Sequence, residues 1–466
     1  AVMDFYLGAT PDSDPAADSD ARITYDPSDL TTHGVIVGMT GSGKTGLGVI
    51  YLEEALRQGI PTLVIDPKGD MTNLLLTFPD LAPADFRPWI DEAAAAKDGV
   101  SPEAKADGEA TKWREGLGSW GLSGSDIGAL RERVGMTIYT PGSQAGVPLN
   151  VVGELEVPDL SWDTDAEAMR DEIEGFASGL LGLVDIDADP ISSKEHILLS
   201  NLIEHNWRAG NSVSLEALIG QVATPPIRKL GVFEVDTFFP QKDRMAFAMK
   251  LNGLLASPAF ATWMEGPTLD IEALLWTDEK PQAAIIYLAH LSESERQFIV
   301  TTIFSKLITW MRSQPGSSDL RVLAYMDEVF GFVPPTAEPP AKKPLLTLLK
   351  QARAFGVGLL LSTQNPVDLD YKAMSNAGTW CIGRLQTERD KARILEAVSD
   401  ASGGVDISAI DSQISGLGKR QFLLHNTREN HPALFGTRWA MSYLRGPMTR
   451  EEVERVTGDQ RPSLLK

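Results

Sequence analysis

Apolar residues along this chain fall into short unbroken runs that end in glycine, proline or acidic residues. Such runs predict strands buried on both faces of a sheet. The first strong one is Val35-Ile-Val37, which leads into Gly38-Met39-Thr40-Gly41-Ser42-Gly43-Lys44-Thr45. Residues 46–58 then read as a helix. A second strand, Leu63-Val-Ile65, closes on Asp66-Pro-Lys-Gly-Asp70. Strand, helix and strand in this order predict a parallel crossover unit. Further strands are expected at 137–139, 284–288, 322–326, 358–362, 379–382, 421–424 and 433–437.

Between these runs the period changes. Residues 163–275 are helical in pattern: Leu198, Leu199, Leu202 and Ile203 share one face, and Ser192 with Glu195 reads as a capping box. Ser292 and Glu295 predict a second such box before the helix at 298–311. Residues 91–119, rich in Ala, Glu, Asp and Lys, read as an exposed helical excursion, and the acidic run at 12–20 as a loop. The fold class is therefore α/β, with a mainly parallel central sheet and an inserted all-helical subdomain. The expected division is an N-terminal extension (1–30), a core in two parts (31–160 and 277–445), the helical insertion (161–276) and a C-terminal extension (446–466).

Composition narrows the classes. The 466 residues are 43% hydrophobic, enough for a large core. No run approaches the ~18 apolar residues of a membrane span. The one cysteine, Cys381, excludes a disulfide framework and a cysteine-based zinc site. The start, Ala1-Val-Met-Asp-Phe-Tyr, lacks a basic-then-apolar signal, so a cytoplasmic protein without a membrane anchor is expected. A net charge of -22 argues against a surface that is basic all over, though not against nucleic acid in a local channel.

The candidate chemistry begins at the glycine loop. Gly38, Thr40, Gly41, Ser42 and Gly43 between a strand and a helix let backbone N–H groups converge on phosphates, with Gly46 in the first turn beyond. In this motif Lys44 reaches the β- and γ-phosphates of ATP and Thr45 places its hydroxyl on Mg²⁺. The apolar strand Arg321-Val-Leu-Ala-Tyr-Met ends in Asp327-Glu328. There Asp327 is expected in the metal shell and Glu328 as the group that polarises the attacking water. A similar strand, Leu359-Leu-Leu-Ser-Thr363, delivers Gln364 to the γ-phosphate or the water. Arg353, just before that strand, is a candidate arginine finger, and Arg384, after the strand at 379–382, is a second candidate, expected to contact the nucleotide.

Together these pieces resemble the HerA/FtsK superfamily of ring ATPases, and bacterial HerA-like proteins above all. The more specific matches are Asp66-Pro-Lys-Gly-Asp70, Gln351-Ala-Arg353-Ala-Phe-Gly-Val-Gly358 and Ser362-Thr-Gln-Asn-Pro366. The resemblance spans residues 31–443 and implies a RecA-like P-loop ATPase core. It further implies a homo-hexamer that hydrolyses ATP with Mg²⁺ at subunit interfaces and moves double-stranded DNA through its pore. In that reading Lys44, Thr45, Asp327, Glu328 and Gln364 act in cis and Arg353 in trans. A nuclease or other protein partner is implied as well. About thirty residues precede the core, too few for the β-barrel that HerA proteins carry there. Lys342, Lys343, Arg228 and Lys229 are candidate DNA contacts, and Asp66 and Asp70 are expected to be structural, binding Lys68 or backbone amides. The rival readings are a motor acting on a protein complex and a nucleotide-dependent scaffold.

Overall fold

A computed structural model describes residues 3–186, 189–402, 406–429 and 431–458. The predicted start at Ala1 and the end of the 446–466 extension lie outside the described residues. Eleven strands make the main sheet: β1 (Phe5–Ala9), β2 (Arg22–Tyr25), β3 (Gly34–Val37), β4 (Thr62–Asp66), β5 (Gly135–Tyr139), β6 (Lys280–Tyr287), β7 (Ser317–Met326), β8 (Phe355–Thr363), β9 (Thr379–Ile382), β10 (Gln421–Asn426) and β11 (Ala433–Thr437). Their order across the sheet is β5-β6-β4-β7-β8-β3-β9-β10-β11-β1-β2, and a short twelfth strand, Trp276–Thr277, folds back on β6. Neighbours from β5 to β9 are parallel, and from β9 to β2 antiparallel. Six helices are used below: α1 (Lys44–Arg57), α2 (Pro102–Gly118), α3 (Trp162–Leu183), α4 (Lys194–Arg208), α5 (Glu293–Arg312) and α6 (Lys342–Gln351).

The unbroken apolar runs have a direct cause. Side chains alternate across a strand, so a strand covered on both faces needs apolar residues at every position. Val35, Val37, Leu63, Ile65, Ala324, Met326, Leu359 and Leu361 face one core, which continues into α3, α4 and α5. Ile36, Val64, Tyr325 and Leu360 face the other, with α1 and α2 over them. The helical insertion thus shares its apolar core with one face of the sheet.

Four expectations need correction. The segment read as an N-terminal extension contributes β1 and β2 to the main sheet. Five residues are too short a window for period to reveal a strand; burial under α1 decides it, with Phe5 packed edge-on against Tyr51 at 6.3 Å between ring centroids. The insertion is not wholly helical. Val213–Ser214 pairs with Glu154–Leu155, and Lys229–Leu230 pairs with Phe233–Glu234. The cap of α4 is Ser193, whose side chain accepts from the His196 amide, not Ser192. The 91–119 region is helical but not purely exposed, because Ala106, Ala110, Trp113 and Leu117 of α2 are buried. The predicted Ser292–Glu295 capping box is present at α5. Among the described residues no helix is long and apolar enough to cross a membrane.

Candidate functional site

Parallel strands all end at one edge of the sheet, and loops leaving that edge gather the polar residues that the strands themselves exclude. The glycine loop leaves β3 there. Gly38 N–H donates to Thr363 O at 3.3 Å and Met39 N–H to Arg384 O at 2.6 Å. Arg420 N–H donates to Ser42 O at 2.9 Å. The loop is thus tied to the ends of β8 and β9 and to the start of β10. Gly43 has φ +96°, a left-handed conformation, and a Cβ there would lie 3.2 Å from Arg420 Cα. α1 begins at Lys44, so the first amides of the helix have no acceptor within it and present positive charge to the loop.

Facing the loop are the two carboxylates at the end of β7. Lys44 Nζ donates to Glu328 Oε1 at 2.6 Å, and both side chains are nearly buried. Gln364 Nε2 donates to Glu328 Oε2 at 3.3 Å, while its Oε1 accepts from Thr40 Oγ1 at 2.6 Å. Thr40, Gln364, Glu328 and Lys44 therefore form one continuous chain of polar contacts across the site. Glu328 sits at φ 48° and ψ 59°, a left-handed conformation uncommon outside glycine, so its placement carries backbone strain. Burial pushes its carboxyl up, but the ammoniums of Lys44 and Lys68 and the bond from Gln364 outweigh that and hold it below the ordinary value.

Asp327 behaves in the opposite way. Burial pushes its pKa up from 3.8 to about 6 against the pull of Lys44, with the charges of Glu328 and Asp70 adding to the rise. Its Oδ1 accepts from Tyr325 Oη at 3.3 Å, but its Oδ2 is buried without a partner. An orphaned buried carboxylate oxygen beside a phosphate loop fits a divalent cation. Among the described residues no group of three or more His, Cys, Asp or Glu side chains could hold a metal ion.

The structure sorts the remaining candidates. Asp66 is fully buried and accepts from the amides of Gly69 at 2.8 Å and Met71 at 3.1 Å, the structural part expected of it. Burial and the neighbouring Asp327 push its carboxyl well up. Of the two partners expected for Asp66 and Asp70, Lys68 or backbone amides, Asp66 takes the amides, and Lys68 lies 3.6 Å from Glu328. Its place in the Asp-Pro-Lys-Gly-Asp strand end was the available signal for this. Arg384 stands at the phosphate-loop edge: its carbonyl holds Met39 and its side chain is exposed.

Arg353 does not join this group. It precedes β8, whereas Gln364 follows it, so nine strand residues, roughly 27 Å, separate the two. Arg353 lies at the far edge of the sheet in a cavity of about 710 Å³ also lined by Arg312, Lys350 and Arg428. Of the proposed DNA contacts, Lys342 is buried and paired with Asp370 at 3.2 Å and Glu338 at 3.3 Å. Lys343 is paired with Glu174 at 2.6 Å. Both are helix-α6 residues held by acids, a pairing that sequence spacing does not reveal. Arg228 is exposed and lies 3.4 Å from Glu234.

A glycine loop after one parallel strand, an acidic pair after another and a third strand between them give the arrangement of a P-loop fold. Residues 13–109 match the family model described as helicase HerA, central domain. The chain is 26% identical over 131 residues to the DNA double-strand break repair helicase HerA of Pyrococcus furiosus. That match covers 28% of this chain and 23% of the relative, so the chain spans less than a quarter of that protein's length. Among solved structures it is similar to VirB4 of Thermoanaerobacter pseudethanolicus, with a TM-score of 0.53 at 13% identity, covering 94% of this chain and 96% of the other. It is also similar to the plasmid coupling protein TrwB, solved in complex with ADP and Mg²⁺, with a TM-score of 0.52 at 12% identity, covering 96% and 97%. At these identities the two structures show the fold.

Proposed function

We propose that this chain is a Mg²⁺-dependent ATPase of a HerA/FtsK-like ring that translocates or unwinds double-stranded DNA, hydrolysing ATP where subunits meet. One observation carries the reading: the groups that suit hydrolysis stand at opposite edges of one sheet. No single subunit can bring Arg353 to its own phosphate loop across about 27 Å of strand. A neighbour in a closed ring can, because a head-to-tail interface sets one edge of each subunit against the opposite edge of the next. A homo-hexamer, a core divided by the insertion at 161–276 and a cytoplasmic location belong to the same proposal, as does a nuclease or other protein partner.

The loop amides and Lys44 receive the phosphates. Lys44 is then shared between Glu328 and the phosphates, so binding loosens its hold on the carboxylate as a γ-phosphate arrives. Glu328, kept ionised by its cationic neighbours, is then placed to accept a proton from water. Gln364, bonded to both Glu328 and Thr40, holds that carboxylate in register with the loop. Thr45 and the open oxygen of Asp327 would hold Mg²⁺, which supplies charge neutralisation between the β- and γ-phosphates when bound. Arg353 of the adjoining subunit stabilises the charge that develops on the transferred phosphoryl group.

The decisive measurement is ATP turnover with and without duplex DNA across a salt series. Stimulation that fades with rising salt is expected of phosphate contacts. Turnover indifferent to DNA at every salt would sink the DNA part. It would favour the second reading, a motor acting on a protein complex, which the -22 charge and the acid-paired Lys342 and Lys343 support.

A further inference from the structure

The edge where the parallel strands end carries a further cavity, beyond β4 from the phosphate loop. It encloses about 300 Å³, and its lining includes Ser143, Thr262, Tyr287, His290, Arg450 and Val453. Ser143 follows β5 and Tyr287 ends β6, so the cavity opens at the sheet edge where α/β folds take ligands. Two of its lining side chains form a stack: the Tyr287 and His290 rings lie 5.6 Å apart between centroids, with planes 10° from parallel. Arg450 begins α7 (Arg450–Thr457) and is exposed, its one ion-pair partner among the described residues being Glu454 at 3.4 Å.

We infer that this cavity takes one nucleotide of an unpaired nucleic-acid strand, its base stacked on His290 and its phosphate on Arg450. The inference rests on the DNA reading of the proposed function and deepens it, because a base is free to stack only where a duplex has been opened. The volume suits one planar heterocycle. Intact duplex is held mainly by many cations along its phosphates. This cavity offers a single arginine beside a ring stack, which is the composition of a single-strand site, and every base has a π face to lay on it. Arg450 stands three residues from the buried Val453 on one helix face, so it can reach a phosphate while α7 stays anchored in the core.

The stacking platform is held from several sides. His290 Nε2 donates to Pro141 O at 2.7 Å, which ties the segment after β6 to the segment after β5. Arg296 of α5 donates to the carbonyls of Leu288 at 3.2 Å and Ala289 at 3.4 Å, and Leu288 N–H donates to Asp66 O at 3.0 Å. The Tyr287 ring packs against Gly69, where φ is +94° and a Cβ would lie 2.9 Å from Tyr287 Cε2. Gly69 adjoins Lys68, which lies 3.6 Å from Glu328. The platform therefore backs onto the segment that carries Lys68 to the candidate catalytic carboxylate.

Fluorescence anisotropy of labelled oligonucleotides tests this, on the full chain with Mg²⁺ and a non-hydrolysable ATP analogue occupying the phosphate loop. The probes are an oligothymidylate of about twelve nucleotides and a strand of equal length made of abasic sites. Wild type should bind the thymidylate about fivefold or more tightly than the abasic strand, the low end of base–aromatic stacking. His290→Ala should erase that preference, and His290→Tyr, which keeps a ring, should restore it. Arg450→Ala should weaken both strands alike and make the dependence of affinity on salt shallower. His290 and Arg450 are both exposed, so these changes leave the core intact. Equal affinity of wild type for the two strands, or a preference that survives His290→Ala, would overturn the inference. Displacement of the strand by free thymidine monophosphate at an equal nucleotide concentration would overturn it too, and would assign the cavity to a free nucleotide. Turnover stimulated by duplex DNA beside any of these results would leave the translocase reading standing, so the two fail separately.

Discussion

The two edges of the parallel sheet are chemically unlike. At the edge where the strands end, Lys44 is answered by Glu328, Glu328 by Gln364 and Gln364 by Thr40, while Asp327 Oδ2 is left buried without a partner. At the opposite edge, Lys350 and Arg353 are exposed and take no ion-pair partner among the described residues. Arg428 beside them is held by Asp29 at 2.6 Å and Arg312 by Asp165 at 3.1 Å. One edge is a closed circuit that a nucleotide must open. The other is a cationic surface on which two arginines are paired by acids of the same chain and Lys350 and Arg353 stand exposed. In the proposed function, the first edge gates binding and the second completes the chemistry.

The largest effect should come from the open edge. Arg353→Ala is expected to lower kcat by about 10³–10⁵ while nucleotide affinity stays within a factor of a few. Steady-state turnover beside equilibrium titration checks this, and a matching loss of ATP binding would place Arg353 in the cis site instead. Mixing Arg353→Ala with Lys44→Ala subunits sharpens it, since an interface that pairs an intact loop with an intact arginine should regain turnover unless the ring fires cooperatively.

At the closed edge, Glu328→Gln should lower kcat by roughly 10²–10⁴, the span of a lost general base. It should also tighten ATP binding, because Lys44 no longer has to leave a buried carboxylate. Unchanged or weaker binding would mean that the Lys44–Glu328 pair does not compete with the nucleotide.

Asp327 gives a pH prediction at the same edge. With its pKa near 6, protons compete with a cation around and below that value, so apparent affinity for Mg²⁺-ATP should fall about fivefold as pH drops from 6 to 5. A flat profile between pH 7 and 5 would remove Asp327 from the metal shell. Arg353→Ala should leave this profile alone.

The last effect concerns stability without ligand. A carboxyl raised from 3.8 to about 6 on folding binds its proton more tightly in the folded chain, so stability is lost as pH rises through that window. Asp327→Asn should therefore stabilise the nucleotide-free protein by on the order of 2–3 kcal/mol at pH 7.5 and by nothing at pH 4. Denaturant midpoints at the two pH values measure it. Equal shifts at both would assign the gain to packing rather than to the buried charge.

Much of this was legible in the chain, because burial on both faces forces unbroken apolar runs and a phosphate loop forces glycine at fixed places. Residues 379–382 and 433–437 were predicted with the bounds that β9 and β11 have. The acidic pair and Gln364 were visible as polar residues ending apolar strands. The short β1 and β2 were not, since β1 pairs with β11, more than 400 positions away, β2 pairs with β1, and no local period points to either contact. Lys342 shows the converse failure: a lysine pair in sequence reads as a solvated face, yet Asp370, from a later helix cap, draws one of the two inside.

The sequence by itself determined that this protein has a phosphate loop, a pair of acids and a sheet to carry them, because those features are local and each is encoded within about ten residues. Only the tertiary structure decided which groups meet. It closed Lys44 onto Glu328, set Lys68 beside the same carboxylate, stood Arg353 at the wrong edge for its own loop, and brought Tyr287, His290 and Arg450 to one cavity. Those contacts join residues hundreds of positions apart, where only the packing of strands and helices against one another fixes distance.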